Sequence, residues 1–85
     1  MQLKIKLLSG KNFAWNFEPT QSVYKIKEVI GEQENIHPEQ INLICQGKIL
    51  DNNQTVESAN LQPNQQIHMV LNLRGGFNVI QEKSN

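Results

Sequence analysis

The sequence predicts an α+β domain in two layers, one mixed sheet packed on a single helix. The expected order is β-β-α-β-β with a short extra strand. Three observations carry the prediction. Apolar and polar residues alternate near both ends of the chain. One stretch between them switches to helical spacing. Clusters of Pro, Gly, Asn and Ser separate the pieces.

The first strand runs from Gln2 to Leu7. Met1, Leu3, Ile5 and Leu7 alternate with Gln2, Lys4 and Lys6. Leu8-Ser9-Gly10 reads as a hairpin loop, with Gly10 free to take a positive φ. Lys11 to Phe17 is the second strand, and its aromatics Phe13, Trp15 and Phe17 suit a pleated surface. Joined this tightly, the two strands pair antiparallel. Glu18-Pro19-Thr20 ends the alternation, and Ser22 is a good N-cap. Val23, Ile26 and Ile30 then share one helical face, with Val29 at its edge. Gly31 weakens the last turns. Asn35 can end the helix in a left-handed conformation, and Pro38 forbids continuation. Lys27 sits close to the apolar stripe, so it is the charged residue expected to be partly buried and to need an acceptor.

Ile41 to Cys45 is the third strand, with Ile41, Leu43 and Cys45 inward. Gln46-Gly47-Lys48 is a turn, and Ile49-Leu50 a short extended piece. A polar loop, Asp51 to Gln54, leads to Thr55, a candidate cap for a short helical turn over residues 56–59. Ile67 to Leu73 is the last strand, with Ile67, Met69, Leu71 and Leu73 facing the core. Residues 1–74 form the domain on this reading. Residues 75–85 are a Gly-Gly pair and a C-terminal extension of mixed polarity.

Length and composition narrow the function. Eighty-five residues make one small domain. The net charge is zero, so no basic excess exists to hold nucleic acid or an anionic membrane. No apolar run is long enough to span a bilayer, and no secretory signal is visible. A cytoplasmic or nuclear location is therefore expected. The single cysteine, Cys45, reads as a small near-core residue. His37 and His68 could serve it as a base only by chance of folding. No metal-ligand spacing, phosphate loop or nucleophile motif appears, so neither metal, cofactor nor enzymatic activity is expected.

The informative residues face the wrong way. Ile44 points outward between Asn42 and Gln46. His68 and Val70 point outward from the last strand. Leu8 sits at a hairpin tip. If those strands are neighbours, Leu8, Ile44, His68 and Val70 form one exposed apolar patch. Such a patch marks a protein-binding surface more often than chance. Gly75-Gly76 directly follows the final core strand. Without side chains, this extended pair can thread an enzyme tunnel that rejects other residues.

Over residues 1 to 76 the chain resembles ubiquitin without gaps. "MQLKIKLLSGK", "FEPT", "LICQGKIL" and "IHMVLNLRGG" are similar to ubiquitin segments in the matching places. The resemblance implies the β-grasp fold. It implies that Gly76 is the residue activated and joined to a substrate lysine, with Gly75 sharing the narrow passage through the enzymes. Leu8, Ile44, His68 and Val70 match the main receptor-binding patch. Lys6, Lys11, Lys27 and Lys48 match lysines that accept further ubiquitin, Lys27 being the one with a structural alternative. Asn72 and Arg74 match positions near the terminus, and the side chain at 72 is read by activating enzymes. The implied partners are activating, conjugating and deconjugating enzymes, or ubiquitin-binding domains.

Departures from that pattern matter equally. Val29, Gln33 and Pro63 stand where ubiquitin has lysines. Asn42 and Asn72 stand in place of arginines, which removes fixed charge and forked donors. Lys4 replaces an exposed Phe, Asn52 an Asp that pairs with the buried lysine, and Ala59 a Tyr that ties a loop. These changes imply a less stable, diverged ubiquitin-like protein. Two functions follow. One is a modifier precursor whose residues 77–85 are removed. The other is a non-conjugated interaction domain, or a subunit of a larger assembly, that keeps its tail.

Overall fold

The computed structural model describes residues 1–72. Leu73, Arg74, Gly75, Gly76 and the expected tail 77–85 lie outside the described residues, as does the expected boundary at residue 74. Five strands and one helix appear: β1 Gln2–Lys6, β2 Asn12–Asn16, α1 Val23–Glu34, β3 Ile41–Cys45, β4 Lys48–Ile49 and β5 Gln66–Leu71. They form one mixed sheet in the order β2-β1-β5-β3-β4. β1 pairs antiparallel with β2 and parallel with β5. β5 and β4 both run antiparallel to β3. With α1 across one face, this is the β-grasp arrangement that the resemblance implies.

Strand parity builds the core. Leu3, Ile5, Leu43 and Ile67 are fully buried, as are Val23, Ile26 and Ile30 from the helix. Each such aliphatic side chain contributes about 1.5–3 kcal/mol of transfer free energy. Val29 packs partly buried at the edge of that face. The helix begins where the Ser22 hydroxyl accepts from Lys25 N–H at 3.2 Å. It ends at Asn35, which is left-handed at φ 59° and ψ 44°. Gly31 has a reason beyond propensity: a Cβ there would lie 2.3 Å from the Ile36 carbonyl oxygen.

One expectation needs correction, and two features lie beyond the sequence reading. Leu71 has inward parity yet is 42% exposed. β1 pairs with β5 only through residues 66–68, so Leu71 keeps a neighbour on the β3 side alone. Trp15 faces the same side as its register partner Leu3, but on an outer strand, and is also 42% exposed. Lastly, a 3-10 turn at Pro38–Gln40, absent from the sequence reading, links α1 to β3. Pro38 sits where its missing N–H has no consequence, and His37 Nδ1 accepts from Glu39 N–H at 3.2 Å.

The long connection 50–65 is held by local bonds. Thr55 N–H donates to Ser58 Oγ at 2.8 Å, and Ser58 N–H donates to Thr55 Oγ1 at 3.0 Å. Thr55 thus caps a single turn over residues 56–59, closed by Ala59 N–H donating to the Thr55 carbonyl at 2.9 Å, as the sequence predicts. Val23 N–H donates to the Gln54 carbonyl and Val56 N–H to the Gln21 carbonyl, which fixes the loop to the start of α1.

Candidate protein-binding face

The face opposite the helix is built by even-numbered residues of β1, β3 and β5. Register brings Ile44 opposite His68, and His68 opposite Lys6. Ile49 of β4 lies on the other side of Ile44. One rung therefore crosses the sheet as Ile49, Ile44, His68 and Lys6. Asn42 and Val70 pair on the next rung. Continuing the parallel register two residues brings Leu8 level with Val70. The structure thus gathers Ile44, His68 and Val70 on one surface, with Leu8 at its margin. Leu8 is 50% exposed, His68 is exposed, and Ile44 and Val70 are half-buried.

Ile49 is the member that sequence reasoning missed. It is 66% exposed, the most open large apolar residue of the described chain. A signal existed. Gln46 and Gly47 both take positive φ, 54° and 78°. That is the geometry of a two-residue hairpin turn of the primed kind. Such a turn must pair Cys45 with Lys48 and Ile44 with Ile49.

Charge is segregated. Lys4 and Lys6 stand on the outward side of β1, and Lys48 begins β4. Among the described residues, no outward position of the sheet carries a carboxylate. Glu28, Glu32 and Glu34 lie on α1 instead. The face is apolar at its centre and basic at its margin, so a complementary partner presents apolar side chains with an acidic rim.

The remaining candidates fall into two groups. Lys6, Lys11 and Lys48 are exposed. Lys27 is 5% exposed, and its Nζ donates to Asn52 Oδ1 at 2.6 Å. Burial lowers its pKa, and the nearby Asp51 charge opposes that. To accept a modifier it would have to leave this site. Asn72 N–H donates to the Gln40 carbonyl at 2.7 Å, so the backbone at 72 is anchored beside the 3-10 turn.

Cys45 points inward, 6% exposed, and its Sγ contacts Gln65 Oε1 at 3.5 Å. Burial raises its pKa, the opposite of what a nucleophilic thiol needs. His68 belongs to the outward face, across the sheet from it. Among the described residues there is no group of three His, Cys, Asp or Glu able to hold a metal ion, and no helix long and apolar enough to cross a membrane.

Residues 3–74 match the ubiquitin family model. The NEDD8-like protein RUB1 of Saccharomyces cerevisiae is 45% identical over 76 residues, 89% of this chain and 99% of that protein. Ubiquitin-like protein 1 of Schizosaccharomyces pombe is 40% identical over 76 residues, 89% of this chain and 97% of that protein. The ubiquitin domain-containing protein DSK2 of Saccharomyces cerevisiae is 38% identical over 72 residues, 82% of this chain but 19% of that protein. A five-stranded mixed sheet on one helix, matched along nearly all its described length, makes this chain a member of the ubiquitin family.

Proposed function

We propose that the chain is a precursor of a ubiquitin-like protein modifier. Ubiquitin-like modifiers are not themselves enzymes, and on this reading the chain serves as the substrate of others. A protease removes residues 77–85, and the freed Gly76 carboxylate is activated and joined to target lysines. Gly75 passes with it through the enzymes' narrow channels. Asn72 and Arg74 are the residues that an activating enzyme reads. Partner proteins read the conjugate through Leu8, Ile44, His68 and Val70. The observation that carries the reading is the outward cluster of Ile49, Ile44 and Val70 around His68, on a basic-rimmed face of the sheet whose last strand leads toward Gly75-Gly76. The stand-alone size of the NEDD8-like relative, almost wholly covered by 76 aligned residues, supports it as well.

A second reading is a non-conjugated interaction domain that keeps its tail, or a fixed subunit of an assembly. The likeness to a domain occupying 19% of DSK2 favours it. Intact mass of the endogenous protein separates the two. A modifier ends at Gly76 and gives higher-mass adducts, and Gly76→Ala abolishes both. A single species retaining the whole tail would sink the modifier reading.

A further inference from the structure

β2 is an outer strand, with β1 on one side and no described strand on the other. Leu7 N–H donates to the Lys11 carbonyl, and Phe17 N–H donates to the Met1 carbonyl. Odd-numbered backbone groups of this stretch therefore face β1. Antiparallel geometry then turns the N–H and C=O groups of Asn12, Ala14 and Asn16 to the free edge. Natural sheets blunt such edges with charge, proline or cover. Asn12–Asn16 contains neither a charge nor a proline. It carries instead an exposed Trp15, stacked on Phe13 with ring centroids 5.5 Å apart.

The stretch NFAWN is also symmetric in kind about Ala14: amide, aromatic, methyl, aromatic, amide. Laid antiparallel on itself about Ala14, Asn12 faces Asn16, Phe13 faces Trp15, and Ala14 faces Ala14. Ala14 then exchanges both outward backbone bonds with its symmetry mate, and each Asn12 does so with the other copy's Asn16. Phe13 and Trp15 fall at the positions without backbone bonds. There Cα atoms approach to about 4.5 Å and side chains meet most closely. The smallest side chain sits on the axis, where bulk would be least tolerated.

Charge agrees. Lys11 precedes β2 and Glu18 follows it. Antiparallel pairing brings the Lys11 end of one copy to the Glu18 end of the other. Lys4, opposite Ala14 on β1, is the outward charge beside the axis. The two Lys4 side chains would stand three strand spacings apart, about 14 Å. That exceeds the screening length of about 8 Å at physiological salt.

We infer that two copies of this chain associate through β2, antiparallel about Ala14, giving one sheet that runs through both. The free edge alone would accept any extended strand; the self-complementary order of side chains selects a second copy. The joint is smaller than the ~1,600 Å² of a standard interface. Association through so small a joint is accordingly weak, with dimer populated only toward about 1 mM.

Sedimentation equilibrium of the 85-residue chain, from about 10 µM to about 1 mM, tests this. Dimer is expected at the upper end. Ala14→Lys places like charges face to face on the axis and should leave monomer throughout, as should Ala14→Glu. Ala14 is exposed but pairs with Lys4, so Ala14→Lys should stay folded and melt a few degrees lower at most, and Ala14→Glu no lower than wild type, which a thermal scan verifies. Mixing the two should restore dimer as a heterodimer. Trp15→Ser should weaken self-association about tenfold, through two lost aromatic pairs. Wild type that stays monomeric at 1 mM overturns the inference and leaves the edge to a foreign strand. So does Ala14→Lys that dimerises like wild type, or a charge-swapped mixture that stays monomeric.

Discussion

Replacing Asn52 by Asp should stabilise this protein. Lys27 is buried with a neutral acceptor, the Asn52 amide oxygen 2.6 Å from its Nζ. A carboxylate at that distance attracts the ammonium by about 6 kcal/mol at an effective dielectric of 20. Two terms oppose it. Ordering and partly desolvating the carboxylate costs a few kcal/mol, though less than for a buried ion because residue 52 is exposed. Asp51 adds repulsion next door. A net gain of about 1 kcal/mol remains, which raises the Tm of a domain this size by about 4–8 °C. The pH dependence gives an independent check. Burial holds the folded pKa of Lys27 below its ordinary 10.5. Between those two values the unfolded chain binds more protons, so wild-type stability rises with pH across that window. A carboxylate at 52 favours the ammonium and lifts the folded pKa, so the rise should flatten or reverse. Urea denaturation at pH 7 and through pH 9–10.5 measures both effects. The gain should vanish in a Lys27→Met background, which isolates the pair. A lower midpoint at unchanged slope, or an unaltered upward pH trend, would refute the reasoning.

Other outcomes follow from single contacts. Gly31→Ala gains helix propensity but drives a Cβ to 2.3 Å from the Ile36 carbonyl oxygen, so urea denaturation should show a net loss of about 1–3 kcal/mol. Ser22→Ala removes the acceptor for Lys25 N–H and should cost about 1 kcal/mol by the same assay. Ile44→Ala should cost the fold no more than about 1 kcal/mol, because the side chain is half-buried on the outer face, while a ubiquitin-binding domain loses most of its affinity in calorimetry. Cys45 should alkylate at least about 100-fold faster in urea than in the native protein at pH 8, because burial both shields the thiol and raises its pKa.

Most of this fold was legible because parity and cap chemistry are local. Alternation in Gln2–Lys6 and Ile41–Cys45 assigned inward and outward residues correctly, and Ser22 and Asn35 marked both ends of α1. Lys27 was recognised as a buried cation needing an acceptor from helical spacing alone. What stayed hidden depends on neighbours. Leu71 has the right parity, but its exposure follows from where β1 stops pairing with β5. Trp15 has the right parity too, and its exposure follows from β2 having a single neighbour. Ile49 joined the outer face through a turn type, visible only once Gln46 and Gly47 are both given positive φ.

The same parity explains how the recognition surface of such a domain can change while the fold holds. Inward residues are odd-numbered in β1, β3 and β5, and outward ones are even. Lys4 and Asn42, two departures from the ubiquitin pattern, are both outward. Asn72, a third, follows β5 at an even position. Asn42 pairs with Val70, and Asn72 N–H bonds the Gln40 carbonyl, so residues 42 and 72 are diagonal neighbours. Two lost arginine charges are thus concentrated at one end of the face, the end that leads to Gly75-Gly76. The added Lys4 lies near the opposite end, where β5 begins, since it pairs with Gln66. Relative to the ubiquitin pattern, two positive charges are lost at one end of the face and one is gained at the other, without touching a core residue. A partner that docks by an acidic rim would slide its best alignment away from the terminus, with Ile44 and His68 still central. On the proposed function, enzymes that read the terminus and receptors that read the rung would then be separable demands on one surface.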